Sequence, residues 1–152
     1  MLTDYHVHLR PDEAGTTAGE YFTAGNAERY RAAAEEHGIQ ELGVAEHVYR
    51  FRAALEVWEH PFWREWAKDD LDDYCGFVRE ETDLRLGIEA DYVPGREDRI
   101  GNLLEQRDWD YVDGPVHFLR ARSLDTEDYS IWGTGESAER VWRRYFETVA
   151  ES

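Results

Sequence analysis

Apolar and polar positions change period several times along the chain, and each change marks an element. Leu2 to Leu9 alternates apolar or aromatic residues with polar ones and runs out into Arg10-Pro11-Asp12, the pattern of a strand leaving into a loop. Asn26 offers an N-cap to Ala27–His37, a run of good helix formers with an acidic first turn, and Gly38 stops it. Ile39 to Ala45 is a short apolar segment entered directly from that glycine. Strand, helix and strand thus follow at βαβ spacing, which implies a parallel sheet. Between Val48 and Lys68 the aromatic residues Phe51, Trp58, Phe62, Trp63 and Trp66 are interrupted by His60-Pro61, as a covering helix pair or a lid would be. Asp69 to Glu81 carries Leu71, Tyr74, Cys75 and Val78 at helical spacing, and Leu84 to Glu89 alternates as a third strand. Pro94 starts a helix with Ile100, Leu103 and Leu104 on one face, and Trp109 to Leu119 reads as a fourth strand. A last helix over Ser137–Ala150 lines up Val141, Trp142, Tyr145, Phe146 and Val149 as an apolar stripe. The predicted fold class is α/β, with about four parallel βα units and no internal repeat or linker.

Composition narrows the function classes. A chain of 152 residues, 41% hydrophobic and 14% aromatic, has material for one domain with a real core. The net charge of −17 disfavours a nucleic-acid polymer or an anionic membrane as partner. Lys68 is the only lysine, so the positive charge is nearly all arginine, the side chain suited to bidentate phosphate recognition. The one cysteine, Cys75, rules out an intrachain disulfide or a Cys-based zinc ribbon and fits a reducing compartment. No apolar run approaches the roughly 18 residues of a spanning helix, and Met1 to Tyr5 lacks a signal-peptide pattern, so a cytoplasmic chain is expected.

The candidate chemistry lies where the histidines fall. His6 and His8 close the first predicted strand, His47 the second and His117 the fourth, while Glu89 and Asp91 close the third. In parallel α/β folds the carboxyl ends of the strands converge on one ligand-binding face. Imidazole and carboxylate donors together suit zinc, manganese or iron, and His-x-His sets two imidazoles on one side of a strand. A shared carboxylate bridges two metals about 3.5–4 Å apart in metal-assisted phosphoester hydrolysis. Plainer roles account for the rest. His37 suits the negative end of a helix dipole, His60 reads as structural, the Trp and Phe cluster as core or lid, and Cys75 as a buried hydrophobe.

Asp4-Tyr5-His6-Val7-His8, Gly43-Val44-Ala45-Glu46-His47, Leu86-Gly87-Ile88-Glu89-Ala90-Asp91 and Val116-His117-Phe118-Leu119 resemble, in order and spacing, the motifs of the PHP (polymerase and histidinol phosphatase) superfamily, and most closely its histidinol-phosphatase branch. The resemblance implies a distorted (β/α)7 barrel with up to three divalent metal ions at its carboxyl rim. It implies that His6 and His8 hold one metal, that Glu89 bridges it to a second also held by His117, and that His47 contributes to a third. Glu89, His117, His6 and His8 would then be the catalytic set. The implied reaction is metal-dependent hydrolysis of L-histidinol phosphate to L-histidinol and phosphate, in histidine biosynthesis. The small-molecule phosphate monoester would be met by Arg10, Arg50, Arg120 or Arg122 just beyond strand ends, and its cationic groups by Asp91 or Glu46.

Members of this family carry further metal ligands after later strands, whereas His117 is the last histidine here. Residues 1–152 therefore read as the amino-terminal portion of a PHP domain, with four βα units where seven are expected. A half barrel leaves two unpaired sheet edges, to be covered by a carboxyl-terminal half or a second copy. Asp12, Glu13 or Ala14 stands where relatives place a histidine for the third metal. Pro115, on what reads as an inner strand, loses a ladder hydrogen bond and unsettles the register toward His117. Two alternatives to the histidinol phosphatase follow: a metal-binding half barrel with little activity alone, and a PHP phosphoesterase acting on nucleotides.

Overall fold

The computed structural model describes residues 1–13 and 15–152. Its elements are β1 (Thr3–Asp4), α1 (Ala18–Tyr21), α2 (Ala24–Glu36), β2 (Glu41–His47), two 3-10 turns (Val48–Arg50 and Arg52–Glu56), α3 (Pro61–Trp66), α4 (Leu71–Glu81), β3 (Arg85–Glu89), α5 (Glu97–Leu104), β4 (Tyr111–Asp113), β5 (Phe118–Leu119), β6 (Arg122–Ser123) and α6 (Ala138–Val149). Strands β1 to β4 are parallel and ordered as in the sequence, forming a curled half barrel, part of a (β/α) barrel. No helix among the described residues is long and apolar enough to cross a membrane.

Alternation divides the sheet into two faces. Leu42, Val44, Leu86 and Ile88 point to the helices and join Phe51, Trp63, Leu71, Tyr74 and Val78 in the main core. The aromatic stretch is thereby core and not lid, since Phe51 and Trp63 are fully buried. On the other face Gly43 and Gly87 lie under the Tyr111 ring. At the carboxyl end His47 pairs in register with Glu89, and Glu89 with Asp113, which sets three polar side chains in one row.

Several boundaries differ from the sequence pattern for identifiable reasons. Regular pairing of the first strand is limited to Thr3–Asp4 because the Asp4 carboxylate takes the His6 N–H, at 3.1 Å, that a ladder would use; contact returns where Ala45 N–H donates to Val7 O. Thr23, not Asn26, caps α2: Asn26 donates its own N–H to Thr23 Oγ1 and buries its amide against Leu9 O and Tyr21 O. Gly38, at φ 74°, supplies the expected stop in the left-handed region. Pro94 precedes α5 by more than one residue, and Arg96 occupies the N-cap position.

Trp109–Leu119 is not one strand. The chain leaves the sheet after Asp113, Pro115 lies beyond the ladder and accepts Tyr92 N–H at 2.8 Å, and Phe118–Leu119 forms an antiparallel hairpin with Arg122–Ser123. Pro115 therefore removes no ladder bond, and His117 sits between β4 and the hairpin. In α6 only Val141 and Thr148 are buried; of the apolar stripe, Trp142, Phe146 and Val149 are exposed.

His60 caps α3, its Nδ1 accepting Phe62 N–H at 3.2 Å, among Trp58, Phe118 and Tyr129. Burial lowers its pKa below 6.5, against a weaker opposing effect of Ala121 O. A lowered histidine pKa means the unfolded chain takes the proton more readily, so stability falls as pH drops through 6.5 and levels off below the folded value. Urea unfolding at about pH 7.5 and 5.5 should show this loss, and His60→Asn, which keeps a cap acceptor without titrating, should show less of it. Equal losses in both chains would remove His60 from the account.

Candidate metal centre

Glu89, at the end of β3, is the hub of the carboxyl rim. Its Oε2 lies 2.8 Å from His47 Nδ1, 3.2 Å from His8 Nε2 and 3.7 Å from His6 Nε2, and its Oε1 lies 3.3 Å from His117 Nε2. The carboxylate is buried while His6 is half exposed, so the cluster opens to solvent on the His6 side. The rings are packed, with His8 stacked on His47 at 4.2 Å and His47 edge-on to His117 at 5.5 Å. Four histidines and one glutamate from four separate segments, named from their places at predicted strand ends, are thus brought together.

Two donor sets can each hold a metal ion, His6–His8–Glu89 and His47–Glu89–His117, with Glu89 common to both. The donors themselves test that fit. Glu89 Oε2 and His47 Nδ1, which face one another, are buried with no hydrogen-bond partner, their 2.8 Å approach lying outside hydrogen-bond geometry. Unsatisfied buried polar atoms are rare because each costs free energy. A divalent cation would satisfy convergent lone pairs of this kind, and nitrogen with carboxylate oxygen is a donor set for zinc, manganese or iron.

A second layer of carboxylates holds three of the four imidazoles. His6 Nδ1 lies 2.9 Å from Asp113 Oδ2, His117 Nδ1 2.8 Å from Asp91 Oδ1, and His47 Nε2 3.2 Å from Asp12 Oδ2. Such contacts fix ring orientation and tautomer and raise ligand basicity. Burial works against charge at His47, but Asp12 and Glu89 outweigh it and raise its pKa to about 9. At Glu89 burial is likewise outweighed, by His47 and His8, and the carboxyl falls well below the usual range. His117 is raised in the same way, burial being overcome by Asp91 and Glu89.

Several substrate-facing expectations are corrected. Arg10 and Arg50 are buried, Arg10 paired with Asp69 and Arg50 with Glu46 and Asp12, so neither guanidinium faces a phosphate. Glu46 points to the helix side of β2 and Asp91 is 1% exposed against His117, so neither acid meets a substrate cation. Arg120 lies in the hairpin turn and Arg122 opens β6, both exposed and without an ion-pair partner among the described residues; Arg120 holds φ 60°, a conformation that favours glycine. Of the third-metal substitutes, Asp12 reaches His47, Glu13 is exposed, and Ala14 lies outside the described residues. The resemblance gave His47 to a third ion; here its Nδ1 joins the Glu89–His117 set while Nε2 meets Asp12. Asp113 was not singled out from the sequence. Ending β4 at Gly114-Pro115 would have placed it at the rim beside Glu89.

Fold and site together define a class: part of a (β/α) barrel with a histidine and carboxylate rim able to hold divalent ions. No family model matches the chain. It is similar to a curated protein of Deinococcus radiodurans named probable histidinol-phosphatase, 29% identical over 132 residues, a match covering 82% of this chain and 48% of that protein. The chain spans about half the length of the relative it matches.

Proposed function

We propose that this chain is the amino-terminal, metal-holding portion of a PHP-type phosphomonoesterase that hydrolyses L-histidinol phosphate to L-histidinol and phosphate in histidine biosynthesis. The observation that carries the proposal is the single buried carboxylate of Glu89 shared between His6–His8 and His47–His117. The name of the relative supports the substrate. Bound divalent ions would supply Lewis acidity, bringing the pKa of a coordinated water near neutrality and neutralising phosphate oxygens. His6, His8, His47, His117 and Glu89 are the ligands in this proposal, and Asp113, Asp12 and Asp91 hold the second nitrogens of His6, His47 and His117. Arg120 and Arg122, three and five residues beyond His117, are the cations for the phosphate, since Arg10 and Arg50 are already paired.

Each donor set offers three protein ligands, and this favours a second reading in which further ligands come from a carboxyl-terminal half or a second copy. One assay separates the readings: phosphate release by the purified chain with zinc or manganese, from histidinol phosphate and from a panel of nucleoside monophosphates. Histidinol phosphate should be the preferred substrate. Preference for a nucleotide would move the chain to another PHP branch, and no release from a folded, metal-loaded chain would leave it a metal-holding portion that needs its complement.

A further inference from the structure

Glu46, offered by the sequence as a rim acid, is fully buried and turned away from the metal-binding face. Its Oε1 accepts the N–H groups of Leu9 at 2.7 Å and Arg10 at 3.2 Å. Its Oε2 pairs with Arg50, which donates from Nη1 to Arg10 O at 2.8 Å and from Nη2 to Asp12. The carbonyl of Leu9 accepts Asn26 Nδ2 at 3.1 Å. The backbone just after His8 has no strand ladder, so side chains satisfy its buried polar groups instead.

The consequence reaches both donor sets. Leu9 follows His8, Glu46 precedes His47, and Asp12 touches the far nitrogen of His47. We propose that Glu46 and Arg50 are positioning residues: their buried pair fixes the His8 segment and Asp12 against His47, and so sets the distances over which both donor sets hold metal. This rests on the metal-holding reading above and adds residues that touch no metal or substrate in it.

The test is affinity for zinc, read by competition with a chromogenic chelator, together with the visible absorption of bound cobalt, which reports ligand geometry. Glu46→Asp keeps the charge opposite Arg50 but is one methylene short, so it cannot reach both Arg50 and the Leu9 N–H. It should fold, yet bind zinc at least about 10-fold more weakly, the lower end of what partners behind metal ligands contribute, with an altered cobalt spectrum. Should it fail to fold, Glu46→Ala with Arg50→Met removes both charges and leaves no buried ion unpaired; this chain should fold and show the same loss. Wild-type affinity and spectrum in either folded variant overturn the proposal while leaving the metal-holding reading intact. A wild-type chain that binds no zinc overturns that reading, and the proposal with it.

Discussion

Glu89→Ala is expected to abolish metal-dependent stabilisation, and with it the phosphate release proposed above. The reason is topological: one carboxylate stands within 2.8–3.7 Å of four imidazoles and belongs to both donor sets. Loss of His6 would thin one set, whereas loss of Glu89 leaves two histidines in each. A ligand that binds only the folded chain at about 100 times its Kd stabilises by about 2.7 kcal/mol. For a chain of this size that is a rise of roughly 5–10 °C in melting temperature. Thermal unfolding with zinc or manganese, and again with chelator, should show this rise in the wild type and none in the variant. An equal rise in both would show that the metal binds elsewhere and would remove the shared carboxylate from the argument.

The chelated chains supply the control that separates ligation from packing. Without metal, Glu89 is the counter-charge of His47, whose pKa it helps raise to about 9. Its own carboxyl is held low, so its contribution to stability is present above the unfolded value of 4.5 and disappears as pH falls through the folded one. At neutral pH Glu89→Ala thus removes both a favourable ion pair and a buried charge that costs desolvation. These oppose one another. A metal-free difference much smaller than the metal-dependent one is the expected pattern.

Elements with strong local period were legible in the sequence, and contacts across long separations were not. The apolar runs ending in His47 and Glu89 located β2 and β3, and these carry half of the rim. The start of the last helix at Ser137, where the structure places an N-cap, and the Gly38 stop were legible because both signals act within one helical turn. By contrast, Arg10 and Arg50 look like free rim cations until the fold brings Asp69 to Arg10 across 59 residues and Asp12 to Arg50 across 38. Glu46 reads as a substrate acid because alternation along a strand does not say which face will be buried by helices, whereas Asp91, on the face of Glu89, is taken up by His117 from 26 residues away. The fourth strand was drawn too long because Val116, Phe118 and Leu119 are apolar. They are apolar for a different reason, since Val116 and Leu119 form a second small core with Ile131 and Val141 while Phe118 joins the main one.

Gly87→Ala is expected to destabilise the chain by about 1–3 kcal/mol, the usual cost of overpacking, and to weaken metal binding at the His6–His8 set. Gly43 and Gly87 are not in the left-handed region, so alanine is acceptable to their backbone and the effect is steric. Tyr111, the register neighbour of Gly87, lays its ring across both glycines. A Cβ on Gly87 would stand 2.5 Å from Cε2 and 2.7 Å from Cε1 of that ring, and one on Gly43 2.6 Å from its hydroxyl. The ring is pinned from its far end, where the hydroxyl donates to Tyr5 O at 2.6 Å and the Tyr5 ring packs on it at 5.0 Å. Moving Tyr111 therefore moves Tyr5, and Tyr5 adjoins His6. Glycine under a cross-strand aromatic is a known device for holding register; here it also floors the face above which Glu89 and His47 stand. Urea unfolding of Gly87→Ala, Tyr111→Val and the pair forms a double-mutant cycle. The pair should recover stability relative to Gly87→Ala, because valine leaves room for the new methyl, and should still bind zinc more weakly than the wild type, because nothing then holds Tyr5. Additive losses in the cycle would mean that the ring does not depend on the glycine, and undiminished zinc affinity would cut the link from this floor to His6.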